Sequence, residues 1–188
     1  MVPESGRGGV PSASLGRASL ITLEGPREWP LGGGLPMRRR LRAHRFGDLT
    51  KDWTPAIVDG TEIETSAIGG TVASNDLAPM GVGLVAIDVG PSKQRAYLGK
   101  TPEDQAQIIV AHLRDIFASA GGDLRDITSI HVYVRPMAEP ADWSPALMAI
   151  RTALRDVPCS ETVVFADFLG PEQEMLQVEA RGRLRRGA

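Results

Sequence analysis

The stretch TPEDQAQIIVAHLRDIFASAGGDLRDITSIHVYV, residues 101–134, carries two periods of apolar side chains in succession. Thr101 can cap free backbone N–H groups, Pro102 suits the first helical position, and Glu103 and Asp104 oppose the positive helix end. Ala106, Ile109, Leu113, Ile116, Phe117 and Ala120 then recur at steps of three and four, one apolar helical stripe. Gly121-Gly122 supplies a left-handed stop. From Ile127 to Arg135 the period becomes two. Ile130, Val132 and Val134 take one face of a strand, and Ser129, His131 and Tyr133 the other.

The pattern repeats downstream. Ser144-Pro145 opens a second helix with Ala146, Ala149, Ile150, Ala153 and Leu154 on its buried side. Thr162 to Phe168 reads as a strand, Gly170-Pro171-Glu172 as a turn, and Met175 to Leu184 as a final strand. Joined by that turn, the last two strands are expected to pair antiparallel. Upstream, Ala56-Ile57-Val58 and Glu62 to Ile68 flank Asp59-Gly60, a strong hairpin signal because the turn needs positive φ. Residues 71–100, punctuated by Gly81, Gly83, Gly90 and Pro91, read as a long loop with at most one extra strand or hairpin. The order is β-β, helix, β, helix, β-β. It implies an α+β fold in which one sheet carries two helices on one face. The other face, with His131, Tyr133, Gln177 and Glu179, is half polar and suited to burial by oligomerisation.

Residues 1–48, rich in Gly, Pro and Arg, form an expected extension, mostly irregular, before a domain at 49–188. The basic run from Arg38 to Arg45 is a solvated face, a partner for acids on a neighbouring subunit, or an anion site. A formal net charge of -2 and an aromatic content of 5% give no field or stacking platform for nucleic acid. A single cysteine excludes an intrachain disulfide and fits a reducing, cytoplasmic setting. Apolar runs fall well short of the roughly 20 residues that span a bilayer. No His/Cys cluster has metal-ligand spacing and no Gly-rich phosphate loop joins a strand to a helix, so neither metal nor cofactor is expected.

From about Trp53 to Leu184 the chain resembles the RidA/YjgF family. Ser66-Ala67 stands where that family has Ser-Gly, and Ala120-Gly121-Gly122-Asp123-Leu124 is similar to its "AAG-x-L" helix end. Ser129 to Val134 matches its typical strand, Ala141-Asp142-Trp143 its "x-D-F" step, and Pro158 the start of its "P-A-R" motif. Val178-Glu179-Ala180 fits its closing strand. The resemblance implies a chorismate-mutase-like sandwich, a homotrimer built on a central barrel, and small-molecule clefts between subunits. It also implies hydrolysis of reactive enamines and imines such as 2-aminoacrylate.

That chemistry uses an Arg for the substrate carboxylate, an acid to activate water, and a Tyr and an Asn to orient the substrate. Here Ser160, with Glu161 beside it, stands in the Arg position, Trp53 in the Tyr position and Gln177 in the acid position. The helix starting at Ser144 has no Asn. A charge-assisted hydrogen bond lost with the Arg is worth about 1.5–3 kcal/mol, which argues against ordinary 2-aminoacrylate deamination. Glu179 and Gln177 are the candidate catalytic pair, and Trp53, Ser160, Glu161, Cys159 and His131 the candidate binding residues. Glu179 is either a water-activating group or a salt-bridge partner. His131 is a base or a structural strand histidine. Trp53 is a stacking wall or a filler. Cys159 is a nucleophile or a semi-buried thiol, and no clear activating base lies near it in sequence. The expected function is action on a neutral or weakly polar imine, enamine or related unsaturated metabolite. The alternative is a trimeric module that binds a metabolite or protein without turnover.

Overall fold

The computed structural model describes residues 38–41, 54–75, 78–89, 94–136 and 143–185. Its strands are β1 (Arg38–Leu41), β2 (Ala56–Asp59), β3 (Glu62–Thr65), β4 (Ile68–Gly69), β5 (Thr71–Val72), β6 (Leu84–Val89), β7 (Gln94–Gly99), β8 (Ile127–Val134), β9 (Ser160–Phe165) and β10 (Leu176–Arg183). Helix α1 spans Pro102–Ala120 and α2 spans Ser144–Ala153.

Helix α1 begins and ends as its residues dictate. The Thr101 side chain accepts from the Asp104 N–H, the Asp104 carboxylate accepts from the Thr101 N–H, and Gly121 closes the helix at φ 90°. Its stripe, with Ala146 and Ile150 of α2, packs on one face of a mixed sheet ordered β1-β2-β3-β10-β8-β9, with β4 also on β10. From the sheet that core takes Ile130, Val132 and Val134 of β8 and Leu176, Val178 and Ala180 of β10. The α+β arrangement expected from the periodicity is the observed one.

Four details differ from expectation. β9 and β10 are not neighbours: β8 lies between them, parallel to β9 and antiparallel to β10. A short turn does not force pairing when a third strand with a matching apolar face can enter between. β9 also starts earlier than read and stops at Phe165. The β2–β3 turn is Gly60-Thr61, one residue later than Asp59-Gly60, since Asp59 pairs with Glu62; Gly60 takes the positive φ, 63°. The second strand of that hairpin breaks after Thr65. The Thr65 hydroxyl accepts the Ala180 N–H at 2.9 Å, and β4 resumes the pairing with β10.

Residues 71–100 hold more structure than a loop with one hairpin. The β6–β7 hairpin is joined by β5 in a second, three-stranded sheet. Asp104 and Gln105 fix it to the start of α1: Asp104 Oδ1 accepts the Gly83 N–H at 3.0 Å, and Gln105 Nε2 donates to the Gly99 carbonyl at 2.9 Å. Within the expected extension, β1 pairs antiparallel with β2. The rest of the basic run, Arg42 to Arg45, lies outside the described residues.

Candidate functional site

The register of the main sheet sorts the candidate residues. On the face away from the helices, β10, β8 and β9 present three cross-strand rows. The first is Gln177, Tyr133 and Val164, the second Glu179, His131 and Thr162, the third Arg181, Ser129 and Ser160. Rows lie about 7 Å apart along a strand. Gln177 and Glu179 are therefore neighbours on one face, and His131 belongs with them. Ser160 lies on this face as well, at the opposite end of the rows from Gln177.

Tyr133 Oη donates to Glu179 Oε2 at 2.9 Å, and His131 Nδ1 lies 4.0 Å from the same oxygen. The bond to Glu179 pushes the tyrosine hydroxyl above its ordinary pKa, with burial and the Glu179 charge adding to it. At neutral pH Tyr133 thus keeps its proton and holds it on Glu179, as a hydrogen-bond donor rather than an acid. Two arginines on this face, Arg181 and Arg183, are engaged by Glu64 and Glu62 at 2.8 and 3.1 Å.

Gln177 faces the loop that joins β9 to β10. Its Nε2 donates to the Leu169 carbonyl and, at 2.8 Å, to Glu174 Oε2. Glu174 was not singled out in the sequence. It is 4% exposed, and its carboxyl lies against Gly69: a Cβ added to Gly69 would sit 1.6 Å from Glu174 Oε1. Burial pushes this carboxyl up to about 7, opposed by the Gln177 hydrogen bond and the Arg135 guanidinium. The loop is fastened on two further sides. Gln105, fully buried in the first turn of α1, donates to the Gln173 carbonyl at 3.0 Å and accepts the Met175 N–H at 2.9 Å. Arg135 donates to the Pro171 and Glu172 carbonyls.

The remaining candidates lie elsewhere. Glu161 pairs in register with Ile130, so it takes the helix side, where Arg151 of α2 holds it through two bonds of 2.9 Å. The structure therefore turns its charge away from the face of Gln177 and Glu179. Cys159 lines a hollow of about 190 Å³ with Ile130, Ile150 and Leu154 on that same helix side. Burial pushes its thiol up, away from the reactive thiolate. Another hollow, about 620 Å³, opens beside Ile127 and Arg183 at the far end of β8 and β10. Trp53 lies outside the described residues. Among the described residues no three His, Cys, Asp or Glu side chains are grouped to hold a metal. No described helix is long and apolar enough to cross a membrane.

Comparison with solved structures decides the architecture. A member of the YjgF/YER057c/UK114 family from Mycobacterium tuberculosis superposes with a TM-score of 0.56 over 78% of this chain and 99% of its own, at 12% identity. The fold is RidA-like. RidA from an Antarctic Psychrobacter matches at 0.54 over 76% of this chain and 97% of its own, with 15% identity. Escherichia coli TdcF with bound serine matches at 0.52 over 77% and 97%, with 16% identity. No protein-family model and no curated protein sequence matches the chain. The RidA-like fold is thus carried by a sequence that keeps little of its neighbours' residue identity.

Proposed function

We propose that this chain is a RidA-like enzyme that hydrolyses, or adds water to, a small neutral or weakly polar imine, enamine or related unsaturated metabolite. The carrying observation is the Tyr133–Glu179–His131 group beside Gln177 on the open sheet face. Glu179 would hold and activate a water, Tyr133 would orient the Glu179 carboxylate through its hydrogen bond, and Gln177 would orient the substrate nitrogen. Ser160 lies at the far end of the same face. Trp53 would wall the cleft. On the helix side, Cys159 and Glu161 support α2 and its hollow. The neighbour TdcF was solved with serine bound, which supports reading this fold as a small-molecule scaffold.

The site would be completed in a homotrimer that covers the open face. All six residues of β9 are exposed, Phe165 at 69%, and Phe168 beyond it at 79%. Such apolar exposure at a sheet edge suits burial by a second copy. Sedimentation should give three times the chain mass, and a monomer at micromolar concentration would remove the assembled cleft.

The activity is tested by ammonia release from imines generated in place. Carboxylate-free imines should be hydrolysed faster than 2-aminoacrylate, because Ser160 stands where the family's Arg would bind the carboxylate, and Arg181 and Arg183 are held by Glu64 and Glu62. Tyr133→Phe should cost about tenfold in kcat/KM, the loss of roughly one hydrogen bond to a charged group. Robust turnover of 2-aminoacrylate as the best substrate would defeat the proposal.

A further inference from the structure

We infer that Glu174 is a positioning residue that locks the Gln177 amide so that its oxygen alone faces the ligand, making the site selective for an N–H or O–H donor over a carboxylate. The inference rests on reading the open face as the ligand site, and it names what that site recognises.

A glutamine amide offers two N–H donors and one oxygen. In this structure Nε2 reaches two acceptors, Glu174 Oε2 and the Leu169 carbonyl, so both hydrogens have partners inside the protein. The reversed amide would set an oxygen against a carboxyl oxygen and a carbonyl, which is repulsive. The oxygen is left to accept, and Gln177 is half-buried on the face it shares with Glu179 and Tyr133. An unlocked glutamine could turn its NH₂ outward and bind a carboxylate; this one is held against doing so.

The lock is built from distant segments. Gly69 of β4 leaves the space that the Glu174 carboxyl fills, and Gly170 does the same from the loop, where an added Cβ would sit 2.4 Å from Oε2. Gln105 and Arg135 hold the loop carbonyls on either side. The groups facing the carboxyl are thus Gly69 from β4, Gly170 from the loop, Gln177 from β10 and the Arg135 guanidinium at the end of β8. With a pKa of about 7, Glu174 is charged above neutrality and accepts strongly there, while protonation below it weakens the lock.

Acetamidinium and acetate have the same shape, opposite hydrogen-bonding character and opposite charge, so they serve as probes when Gln177→Met, which keeps the Glu174 and Glu179 charges, is the control for attraction by charge alone. Each is titrated into the full-length chain while the side-chain NH₂ resonances of Gln177 are followed by NMR. These resonances should move with pH near 7 in the wild type and stay flat in Glu174→Gln. At pH 8 acetamidinium should bind at least fivefold tighter than acetate, and the preference should shrink at pH 6. Glu174→Gln should reduce it to less than twofold at both pH values. Gln177→Met, which keeps Glu174, should abolish it. Should Glu174→Gln fail to fold, the wild-type pH dependence and Gln177→Met still decide. Acetate binding equal to or tighter than acetamidinium, or binding of neither, would overturn the inference. Selective acetamidinium binding without imine turnover would end the enzymatic reading and leave this one standing.

Discussion

Strands β8 and β10 alternate between two environments that differ residue by residue. On the helix side Ile130, Val132, Val134, Leu176, Val178 and Ala180 are each at most 2% exposed and pack as one core. On the other side His131, Tyr133, Gln177 and Glu179, their immediate neighbours in sequence, are half-buried; Tyr133 and His131 meet Glu179 through polar atoms, and Gln177 meets Glu174. The first face obtains its stability from apolar surface removed from water. The second spends stability on holding polar groups in fixed positions, above all Glu174 under Gln177. The same two strands therefore carry the scaffold on one face and the proposed site on the other, and mutations on the two faces should report on different properties.

The largest effect should come from the scaffold side. Leu176→Ala empties a fully buried position and should cost about 2–5 kcal/mol in urea unfolding. A loss below 1 kcal/mol would show that the two faces are less distinct than their burial indicates.

The buried acid should behave in the opposite sense. Burial pushes the Glu174 carboxyl up to about 7 in the folded chain from its ordinary 4.5, so the folded state binds its proton more tightly than the unfolded chain does. Stability is then fully present below pH 4.5 and is lost as pH rises through 7. The difference is about 3 kcal/mol at most. Glu174→Gln removes the ionisation, so it should flatten this dependence and raise the melting temperature at pH 8. A melting temperature lowered at pH 8 would show that the carboxylate is a net stabiliser.

The smallest effect belongs to the exposed end of the open face. The Arg181 and Glu64 side chains are 66% and 62% exposed. Glu64→Gln should change stability by less than about 0.5 kcal/mol, and less still at high salt. A larger change in dilute solution would place this pair inside an interface between copies.

The elements on the scaffold face were legible in the residues. Thr101 to Gly122 spells out a capped amphipathic helix, and Ile127 to Val134 alternates as a half-buried strand must. Strand adjacency was less legible, because alternation says which side chains share a face and not which strand lies beside which. The insertion of β8 between β9 and β10 follows from the crossover through α2, which brings β9 back parallel to β8 on the edge opposite β10. The second sheet escaped notice because its glycines read as loop punctuation. On the site side, Gln177 and Glu179 could be found from their strand positions. Glu161 could not be assigned a face, since that depends on its register against Ile130 and on Arg151 ten residues earlier. Glu174 sits in Gly170-Pro171-Glu172-Gln173-Glu174, a run that reads as a solvated turn. Its burial comes from Gly69, more than a hundred residues away in the chain. A buried acid of this kind has no local signature.

The Gln105 side chain bonds to the Met175 amide across 70 residues of sequence. Closing so long a segment for one amide contact is entropically unfavourable in an open chain. It becomes cheap only after β8 and β10 have paired and α1 has docked. Refolding should therefore set this contact last, and slow hydrogen exchange at the Met175 amide would mark the moment when the chain has finished assembling.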